Sequence, residues 1–455
     1  MRSLGLASVL AITLGAAPAF AVTLTLKPLA TDLEVGVIAD IIPVPGRPQE
    51  VLILDVNSGS VTLLNTTTGA KRQVLDSGTN ATIGTTRSVS LALDPDFDPV
   101  SGGGLYLSAS LFNADAGAQG NQVWRYDLID DGDSGFTSSV APVQVARIEY
   151  PEESFENGHF GGAIRFLDDE LLLSTGDGDR GIGPPTSPSR AIAGQPDNPM
   201  GKIFRFTPDG ADSLVLGPSL EVPDDAVYPL GVDAGGLRNP FKITVDPASG
   251  RVIIADVGQD RFEEINILQP EDRGTAFFGW PGLEGNAAYN TDATLPDQPP
   301  AEDIRPFYLY SHPTEPLTGP DVSDPAFRGD SVTGGIVYTG GPGPAEIEAL
   351  IGQYLFSDFR AFGLDDPGDA PVWSLDFSGE EAEVRRWMLD YYAGEQRLER
   401  TLAIGAAGDG TIVFSDFDGD VFAVTDATVI PVGPTAPALI LALGAMALWR
   451  RRGRP

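Results

Sequence analysis

Three features of the sequence predict an all-β protein and, within that class, a six-bladed β-propeller with long inserted loops on one face. An apolar strand, a short small or acidic break and a second alternating strand recur six times along the chain. The 54 Gly and 38 Pro are scattered without a period, as expected for many short strands joined by tight turns. Long helical patterns are few. Repeats of this kind are what the blades of a propeller, each a small antiparallel sheet, leave in a sequence.

The repeats are interrupted by two long insertions, at 180–200 and 269–330, which we expect to lie over one face and to be functional. The early segment Leu24–Ile42 is predicted to supply an outer strand that closes the last blade. Short helical pieces are predicted at Glu346–Ile351 and Glu380–Tyr392. Two stacked β-domains remain the alternative architecture. The repeats themselves span residues 50–65, 104–128, 170–206, 251–268, 353–377 and 411–424.

The N-terminus carries an export signal. Arg2 is followed by an apolar run and then by Ala19-Phe20-Ala21, which fits a secretory signal peptide with its cleavage site. We therefore predict a signal peptide at 1–21 and a mature domain at 22–428. The protein is expected to be exported, to the periplasm or the cell surface and medium.

The C-terminal segment 429–455 contains an apolar run, Ala436–Trp449, followed by four arginines within Arg450–Arg454. The run is short for a membrane span, which needs about 20 apolar residues. The pattern is similar to PEP-CTERM sorting signals, which implies the cell-envelope sorting machinery as a partner, with the arginines on the cytoplasmic side. A permanent anchor is the alternative.

Composition excludes several functions. The formal charge of −35 argues against nucleic acid or an anionic membrane surface as partner, because like charges repel. The absence of cysteine excludes disulfides, thiolate zinc sites and cysteine nucleophiles. The many carboxylates are ligands suited to calcium.

Residues 157–179 are the first candidate site. They combine His159, one of two histidines in the chain, with the pair Gly161-Gly162 and a predicted strand–turn–strand. A histidine at the entry to a hairpin points toward a pocket, and paired glycines let a flat ligand approach the backbone. An ordinary loop histidine with turn glycines is the alternative for this segment alone.

Residues 235–268 are the second candidate site. Arg238-Asn239-Pro240 places a guanidinium beside an amide, which suits a ligand rich in carboxylate and carbonyl oxygens. The turn Asp256–Asp260, followed by Glu263 and Glu264, offers the carbonyl and carboxylate oxygens that Ca²⁺ prefers. Taken singly, a surface salt bridge and solvated acids are the alternatives.

Together these stretches resemble the soluble quinoprotein sugar dehydrogenases, also called glucose/sorbosone or aldose sugar dehydrogenases. The resemblance covers roughly residues 30–425 and rests on eight motifs in the same order. They are HFGG at 159–162, STGDGD at 174–179, MGKIFRF at 200–206, GLRNP at 236–240, DVGQDRFEEIN at 256–266, FGWP at 278–281, SVTGGIVY at 331–338 and YLFSDF at 354–359.

The resemblance implies a six-bladed propeller that holds pyrroloquinoline quinone (PQQ) and calcium in a cleft. His159 matches the catalytic base that takes the proton of the anomeric hydroxyl. Arg238 and Asn239 match the pair that contacts the quinone, and Arg238 stabilises the charge that develops on its oxygen. Arg360 lies near the position of a further basic cofactor contact, and Gly161-Gly162 are predicted to border the cofactor.

The resemblance also implies metal ligands. Gly258 and Gln259 match positions whose backbone carbonyls hold the cofactor calcium. Glu263 and Glu264, with the carbonyl of Phe278, fall where the family holds a second, structural calcium.

The chain departs from the family at several positions. Gly158 and Phe160 flank the histidine where the family often has acidic or amide residues. Residues 85–90, TTRSVS, replace a glutamine-containing cofactor loop. Arg397 and Arg400 are the candidates for a late pair of quinone-clamping arginines.

The implied function is an exported PQQ-dependent dehydrogenase that oxidises an aldose sugar to the lactone and passes electrons to an external acceptor. The alternatives are a calcium-dependent propeller that binds without redox chemistry and a calcium-dependent lactonase. His312, in the second insertion, is predicted to be an ordinary loop residue.

Overall fold

A computed structural model describes most of the chain between residues 19 and 432. The described ranges are 19–30, 36–76, 78–83, 85, 87–113, 118–131, 135–138, 141–151, 158–179, 192–289, 304–312, 328–344, 346–359, 371–391 and 397–432. Strands dominate them. Helical structure is confined to short segments, among them α1 (Thr79–Thr82) and 3₁₀ turns at Pro270–Asp272 and Glu348–Leu350. No helix within these ranges is long and apolar enough to cross a membrane.

The first half of the chain forms two sheets after an initial strand, β1 (Ala19–Ala30). The first sheet runs in order through β2 (Ile38–Val44), β3 (Arg47–Asp55), β4 (Val61–Asn65) and β5 (Lys71–Leu75). The second sheet contains β6 (Ser88–Leu93), β7 (Gly103–Asn113), β8 (Ala118–Asp130), β9 (Phe136–Ser138), β10 (Val143–Glu149) and, later in the chain, β14 (Leu214–Leu216). Its order is β6-β7-β8-β10-β14, with β9 beside β8.

The third and fourth sheets carry the candidate site. The third runs through β11 (Gly161–Leu167), β12 (Glu170–Thr175), β13 (Ile203–Phe206), β15 (Val232–Gly235) and β19 (Ala276–Phe277). The fourth runs through β16 (Pro240–Val245), β17 (Val252–Asp256), β18 (Phe262–Leu268) and β22 (Tyr308–Ser311). A small hairpin, β20 (Leu283–Glu284) with β21 (Ala287–Ala288), lies between β19 and β22 in sequence.

The last sheet has eight strands, and we call it the joined sheet. Its later strands are β23 (Val332–Val337), β24 (Tyr354–Asp358), β25 (Val372–Asp376), β26 (Glu383–Tyr391), β27 (Thr401–Ala406), β28 (Ile412–Asp416) and β29 (Val421–Val432). The order is β23-β24-β25-β26-β1-β29-β28-β27. Strand β1 pairs parallel with β26 and antiparallel with β29, so it connects two four-stranded halves.

The sheets form a propeller-like arrangement. The first strands of successive units contact one another in a ring: β2 with β6, β6 with β11, β11 with β16, β16 with β23, β23 with β27, and β27 with β2. Hydrophobic clusters fill the spaces between neighbouring units. One joins the first and second sheets, the next joins the second and third, and so on until the joined sheet packs on the first.

A buried ionic network links four strands of this ring, and we call it the axial network. Asp40 on β2 accepts hydrogen bonds from Ser90 on β6 (2.7 Å), Arg165 on β11 (2.9 Å) and Lys242 on β16 (2.9 Å). Burial alone raises the pKa of Asp40, but the two neighbouring cations and the hydrogen bonds hold it well below its usual range. The network therefore presents a carboxylate matched to two cations.

The predicted repeats are confirmed as antiparallel strand pairs: β3–β4, β7–β8, β12–β13, β17–β18, β24–β25 and β28–β29. The early segment does supply a strand to the end of the chain, as β1, although its last part, Ile38–Ile42, belongs to β2 in the first sheet. The helical prediction for Glu380–Tyr392 is wrong, because strand β26 occupies Glu383–Tyr391. Trp387, Leu389 and Tyr391 alternate onto the core, which is a period of two.

Candidate functional site

His159 lies at the start of the innermost strand of the third sheet. It immediately precedes Phe160 and β11, and its backbone adopts a positive φ of 48°. Its carbonyl accepts a hydrogen bond from the N–H of Gly178 (3.1 Å), in the turn that follows β12. The side chain is 23% exposed, so the imidazole borders solvent at the strand end. A positive φ is uncommon for a residue with a Cβ and is found most often where surrounding contacts and function impose it.

Gly176 lets the His159 and Arg238 segments approach each other. A Cβ on Gly176 would lie 2.0 Å from the carbonyl oxygen of His159 and 3.1 Å from that of Arg238. The next residue, Asp177, donates its N–H to the Arg238 carbonyl (2.7 Å). The structure therefore brings together two segments that lie 79 positions apart in the sequence.

Asp177 is a candidate functional residue that the sequence analysis did not single out. Its side chain is fully buried, with Oδ1 3.9 Å from the Nδ1 of His159 and 3.0 Å from the N–H of Asp179. Its Oδ2 accepts a hydrogen bond from the indole N–H of Trp280 (3.1 Å). The Nδ1–Oδ1 distance is too long for a hydrogen bond, but a buried carboxylate this close would stabilise positive charge on the imidazole. The signal in the sequence was the DGD turn directly after a buried strand.

Arg238 is buried and faces the turn after β17. Its Nη1 donates to the carbonyls of Val257 (2.6 Å) and Gly258 (2.5 Å), and its Nε donates to the Oε1 of Gln259 (3.0 Å). The guanidinium also lies 5.8 Å from the ring of Trp280. Oxygens of the predicted calcium turn therefore already converge on one cationic group.

Asn239 joins the two candidate segments. Its side-chain oxygen accepts the N–H of Gly161 (3.3 Å), and its backbone N–H donates to the Oδ1 of Asp256 (2.6 Å). The other oxygen of Asp256 accepts the N–H of Arg238 (2.9 Å). One buried carboxylate thus fixes the backbone of the arginine–asparagine pair.

The glycine pair has a local structural role. Both residues have positive φ, 62° for Gly161 and 97° for Gly162. A Cβ on Gly161 would lie 3.1 Å from Gly176, and one on Gly162 would lie 3.3 Å from Asn121 and 3.4 Å from Val89. Backbone conformation and close packing against protein account for these glycines, and a cofactor contact remains a prediction.

Glu263 and Glu264 point to opposite sides of β18, as neighbouring residues on a strand do. Glu263 is fully buried. It bonds His312 Nε2 through Oε1 (2.6 Å) and accepts the N–H of Val332 through Oε2 (2.8 Å). His312 is therefore not an ordinary loop residue: it is buried, and although burial lowers its pKa, the bond to Glu263 raises it above the usual value.

Glu264 belongs to a separate group of buried carboxylates with Asp256 and Glu284. Burial raises the pKa of Asp256 to about 7, against the backbone N–H bonds that lower it. Burial and the nearby Asp256 raise the pKa of Glu264 to about 8. Glu284 accepts four consecutive backbone N–H groups, those of residues 259–262, on Oε1 at 2.8–3.3 Å. Its buried Oε2 has no hydrogen-bond partner among the described residues.

In their present arrangement these carboxylates do not form a metal site. Within the described ranges, no three His, Asp or Glu side chains are grouped so that they could hold a metal ion. Their raised pKa values come first from burial, which disfavours the charged carboxylate, and for Glu264 next from the nearby Asp256.

The remaining predicted positions fall outside this site or outside the described residues. Arg360 lies outside the described ranges. Arg397 approaches the ring of Tyr391 (5.8 Å), and Arg400 pairs with Asp418 (3.2 Å), so neither contacts the residues around Arg238 through these bonds.

The chain is thus a propeller-like all-β protein in which the ends of neighbouring strands gather a histidine, an arginine and several buried carboxylates. A model of the family Glucose / Sorbosone dehydrogenase matches residues 45–337. This is well over half of the chain, and the protein belongs to that family.

Solved structures with the same fold include sugar dehydrogenases. The PQQ-bound aldose sugar dehydrogenase of Streptomyces coelicolor is 18% identical, with a TM-score of 0.56 over 91% of this chain and 100% of that one. The apo soluble aldose sugar dehydrogenase of Escherichia coli is 18% identical, with a TM-score of 0.58 over 90% and 99% of the two chains. A glucose dehydrogenase is 19% identical, with a TM-score of 0.57 over 88% and 99%.

Proposed function

We propose that the protein is a quinoprotein sugar dehydrogenase that oxidises the anomeric carbon of an aldose to the lactone. The observation that carries this proposal is the position of Asp177, which contacts the Arg238 backbone and lies 3.9 Å from the imidazole of His159. Family membership and the PQQ bound in the Streptomyces coelicolor relative support the choice of cofactor.

His159 is the proposed general base. In the neutral form its imidazole takes the proton of the anomeric hydroxyl, and Asp177 stabilises the imidazolium that results. Trp280 keeps Asp177 oriented through the indole N–H bond. PQQ, when bound, would supply the quinone that accepts the hydride of the sugar, which carries the two electrons, and an external acceptor would then take those electrons.

The residues present fit such a cofactor. Arg238 and Asn239 supply a buried cation and an amide, which are donors and acceptors suited to carboxylate and quinone oxygens. Three oxygens around the Arg238 guanidinium come from Val257, Gly258 and the side chain of Gln259. Backbone carbonyls are ligands that Ca²⁺ takes, so those of Gly258 and Gln259 remain the positions we propose for the cofactor calcium, with the Gly258 carbonyl exchanging its bond to Arg238 for the metal.

We propose that a second calcium binds at Glu264. The buried, unpartnered Oε2 of Glu284 supports this site, because it lies near the carboxyl of Glu264 and carboxylate oxygens are ligands that Ca²⁺ prefers. Glu263, the other predicted ligand, faces away from this group and is engaged with His312 and Val332. Fewer observations therefore support Glu263 than Glu264 as a ligand of the second calcium.

Six blades are the architecture we propose. The joined sheet then corresponds to two blades, β23–β26 and β27–β29 with β1, whose outer strands β26 and β1 pair edge to edge. The closed ring of six first strands and the hydrophobic cluster between each neighbouring pair of units support this count.

Export is a further part of the proposal. The predicted signal peptide at 1–21 and the predicted sorting segment 429–455 support secretion to the periplasm or cell surface, with the envelope sorting machinery as the partner of the C-terminal segment.

Dye reduction by the purified protein tests the function. With PQQ, Ca²⁺ and a panel of aldoses we expect turnover, and His159→Gln should reduce it at least about a hundredfold because the base is lost. PQQ absorbance should persist in the variant. A protein that binds Ca²⁺ or a glycan but neither binds PQQ nor reduces the dye would instead be a binding module. The hydrogen bonds that already occupy the Arg238 guanidinium favour this second function.

A further inference from the structure

The strands give the molecule a direction. The innermost strand β11 begins directly after the His159 segment, and β16 begins directly after Arg238 and Asn239. Strand β23 also begins there, because the N–H of its first residue, Val332, bonds Glu263 at the start of β18, which lies at the same end as the start of β16. We call this end of the strands the site end and the opposite end the far end.

The last strand of the fold runs from the site end to the far end. Strand β24 is antiparallel to β23 and therefore finishes at the site end, where Phe359 contacts Phe417 (ring centroids 5.3 Å apart) in the turn before β29. Strand β29 starts after that turn and continues for 12 residues to Val432. At about 3.3 Å per residue this is roughly 40 Å along the strand.

Both chain ends of the fold therefore lie together at the far end. Strand β1 runs antiparallel to β29, with Ala19 opposite Val432 and Ala21 opposite Ile430. The predicted signal-peptide cleavage site and the exit to the C-terminal segment are neighbours, on the side of the molecule away from His159 and Arg238.

The connection to the apolar segment is short. Only Gly433, Pro434 and Thr435 separate Val432 from the apolar run Ala436–Trp449. Three residues reach roughly 10 Å even when fully extended. A chain held in a bilayer by 436–449 cannot turn its site end, some 40 Å away along β29, onto the membrane.

We propose that the C-terminal segment holds the protein with its far end toward the membrane, so that the site faces the aqueous phase and its electron acceptor is a water-soluble molecule rather than a quinone dissolved in the lipid. The acceptor part rests on the proposed redox function, whereas the orientation does not. The net charge of −35 acts in the same direction, since it keeps the propeller off anionic lipid.

Single-cysteine labelling tests the orientation. Because the chain has no native cysteine, only the introduced residue reacts with the label. Ala349→Cys places a fluorophore at the exposed 3₁₀ turn between β23 and β24, at the far end. Asp418→Cys places it at the exposed turn between β28 and β29, at the site end. Each full-length variant is reconstituted into phosphatidylcholine vesicles that carry a headgroup quencher.

We expect the Ala349→Cys label to be quenched at least about threefold more than the Asp418→Cys label, and the difference to vanish in detergent. Equal quenching, stronger quenching at Asp418→Cys, or failure of the chain to float with the vesicles would each overturn the orientation.

A second arm tests the acceptor. Vesicles carrying the protein with PQQ, Ca²⁺ and an aldose are given either a water-soluble dye or a quinone dissolved in the bilayer. We expect the dye to be reduced at least about tenfold faster, and equal rates would overturn the choice of acceptor. Reduction of neither, in vesicles or in detergent, would count against the proposed function and the acceptor together, while the labels still decide the orientation.

Discussion

Two buried groups of ionisable side chains differ in the direction in which their carboxyl pKa values are shifted. In the axial network, Asp40 contacts Arg165 and Lys242, and its pKa is held well below the usual range. Around Glu264, three carboxylates share one region, and the pKa values of Asp256 and Glu264 rise to about 7 and about 8. The protein itself supplies the cations that neutralise the first group, whereas the second is the group at which we propose that calcium binds. The axial network therefore stabilises the fold, whereas the carboxylates around Glu264 are the proposed ligand site.

Breaking the axial network should have the largest effect. Asp40→Ala removes the carboxylate and leaves Arg165 and Lys242 as neighbouring buried cations, so we expect a loss of about 3–5 kcal/mol in the free energy of unfolding. Urea denaturation followed by fluorescence measures it. Asp169→Ala, at an exposed turn, is the matched control and should change stability by less than about 0.5 kcal/mol. A loss as small as the control's would show that the network does not hold the ring together.

Asp177→Asn should have the next largest effect, on catalysis and not on the fold. The amide keeps the shape of the carboxylate but not its charge, so the imidazolium of His159 loses its stabilising partner. We expect kcat to fall at least about a hundredfold, with PQQ still bound and the melting temperature within a few degrees of wild type. Steady-state kinetics and cofactor absorbance measure both. An unchanged kcat would remove Asp177 from the mechanism.

The raised pKa values of Asp256 and Glu264 predict how the stability of the fold depends on pH. Asp256 and Glu264 bind protons more tightly in the folded state than in the unfolded state, so folding without metal loses stability as pH rises from their unfolded pKa values, near 4, through about 7 and about 8. We expect the protein with a chelator to be less stable at pH 7.5 than at pH 6.5, by an amount on the order of 2 kcal/mol. Millimolar Ca²⁺ should remove most of that difference. Thermal melts at both pH values, with and without Ca²⁺, give the result; a calcium-independent profile contradicts it.

Glu284→Gln should have the smallest effect. The amide oxygen still accepts the N–H groups of residues 259–262, but the charge at the unpartnered oxygen is lost. We expect calcium affinity, measured by calorimetry, to fall about tenfold, which corresponds to 1.4 kcal/mol. Glu346→Gln, at the far end, is the control that should leave the affinity unchanged. Equal affinities for both variants would exclude Glu284 as a metal ligand.

The sequence predicted the fold better than the site. Strand pairs were recognised because each carries its own alternation and turn, as in β17–β18, and both features are local. Strand β26 was missed because the alternation of Trp387, Leu389 and Tyr391 becomes decisive only once β25 and β1 lie on either side. The pairing of β1 with both β26 and β29 depends on chain closure, which no local pattern encodes.

The candidate site residues were predicted from residue type, whereas their distant partners were missed. His159, Arg238 and Asn239 stand out because histidine is rare in this chain and the RNP turn is distinctive. Asp177 and Glu284 are two of 64 acidic residues, and only the folded chain brings them to His159 and to residues 259–262. His312 and Glu263 contact each other across 49 positions, so neither could be assigned from its neighbours in sequence.

A single-turnover measurement tests the central claim most directly. The protein loaded with PQQ and Ca²⁺ is mixed with an aldose in a stopped-flow instrument, and the absorbance of the bound quinone is followed in wild type and in His159→Gln. We predict rapid reduction of the quinone in wild type and reduction at least about a hundredfold slower in the variant, with the same amount of PQQ bound to each. Equal rates in the two proteins, or no reduction in either, would contradict the account.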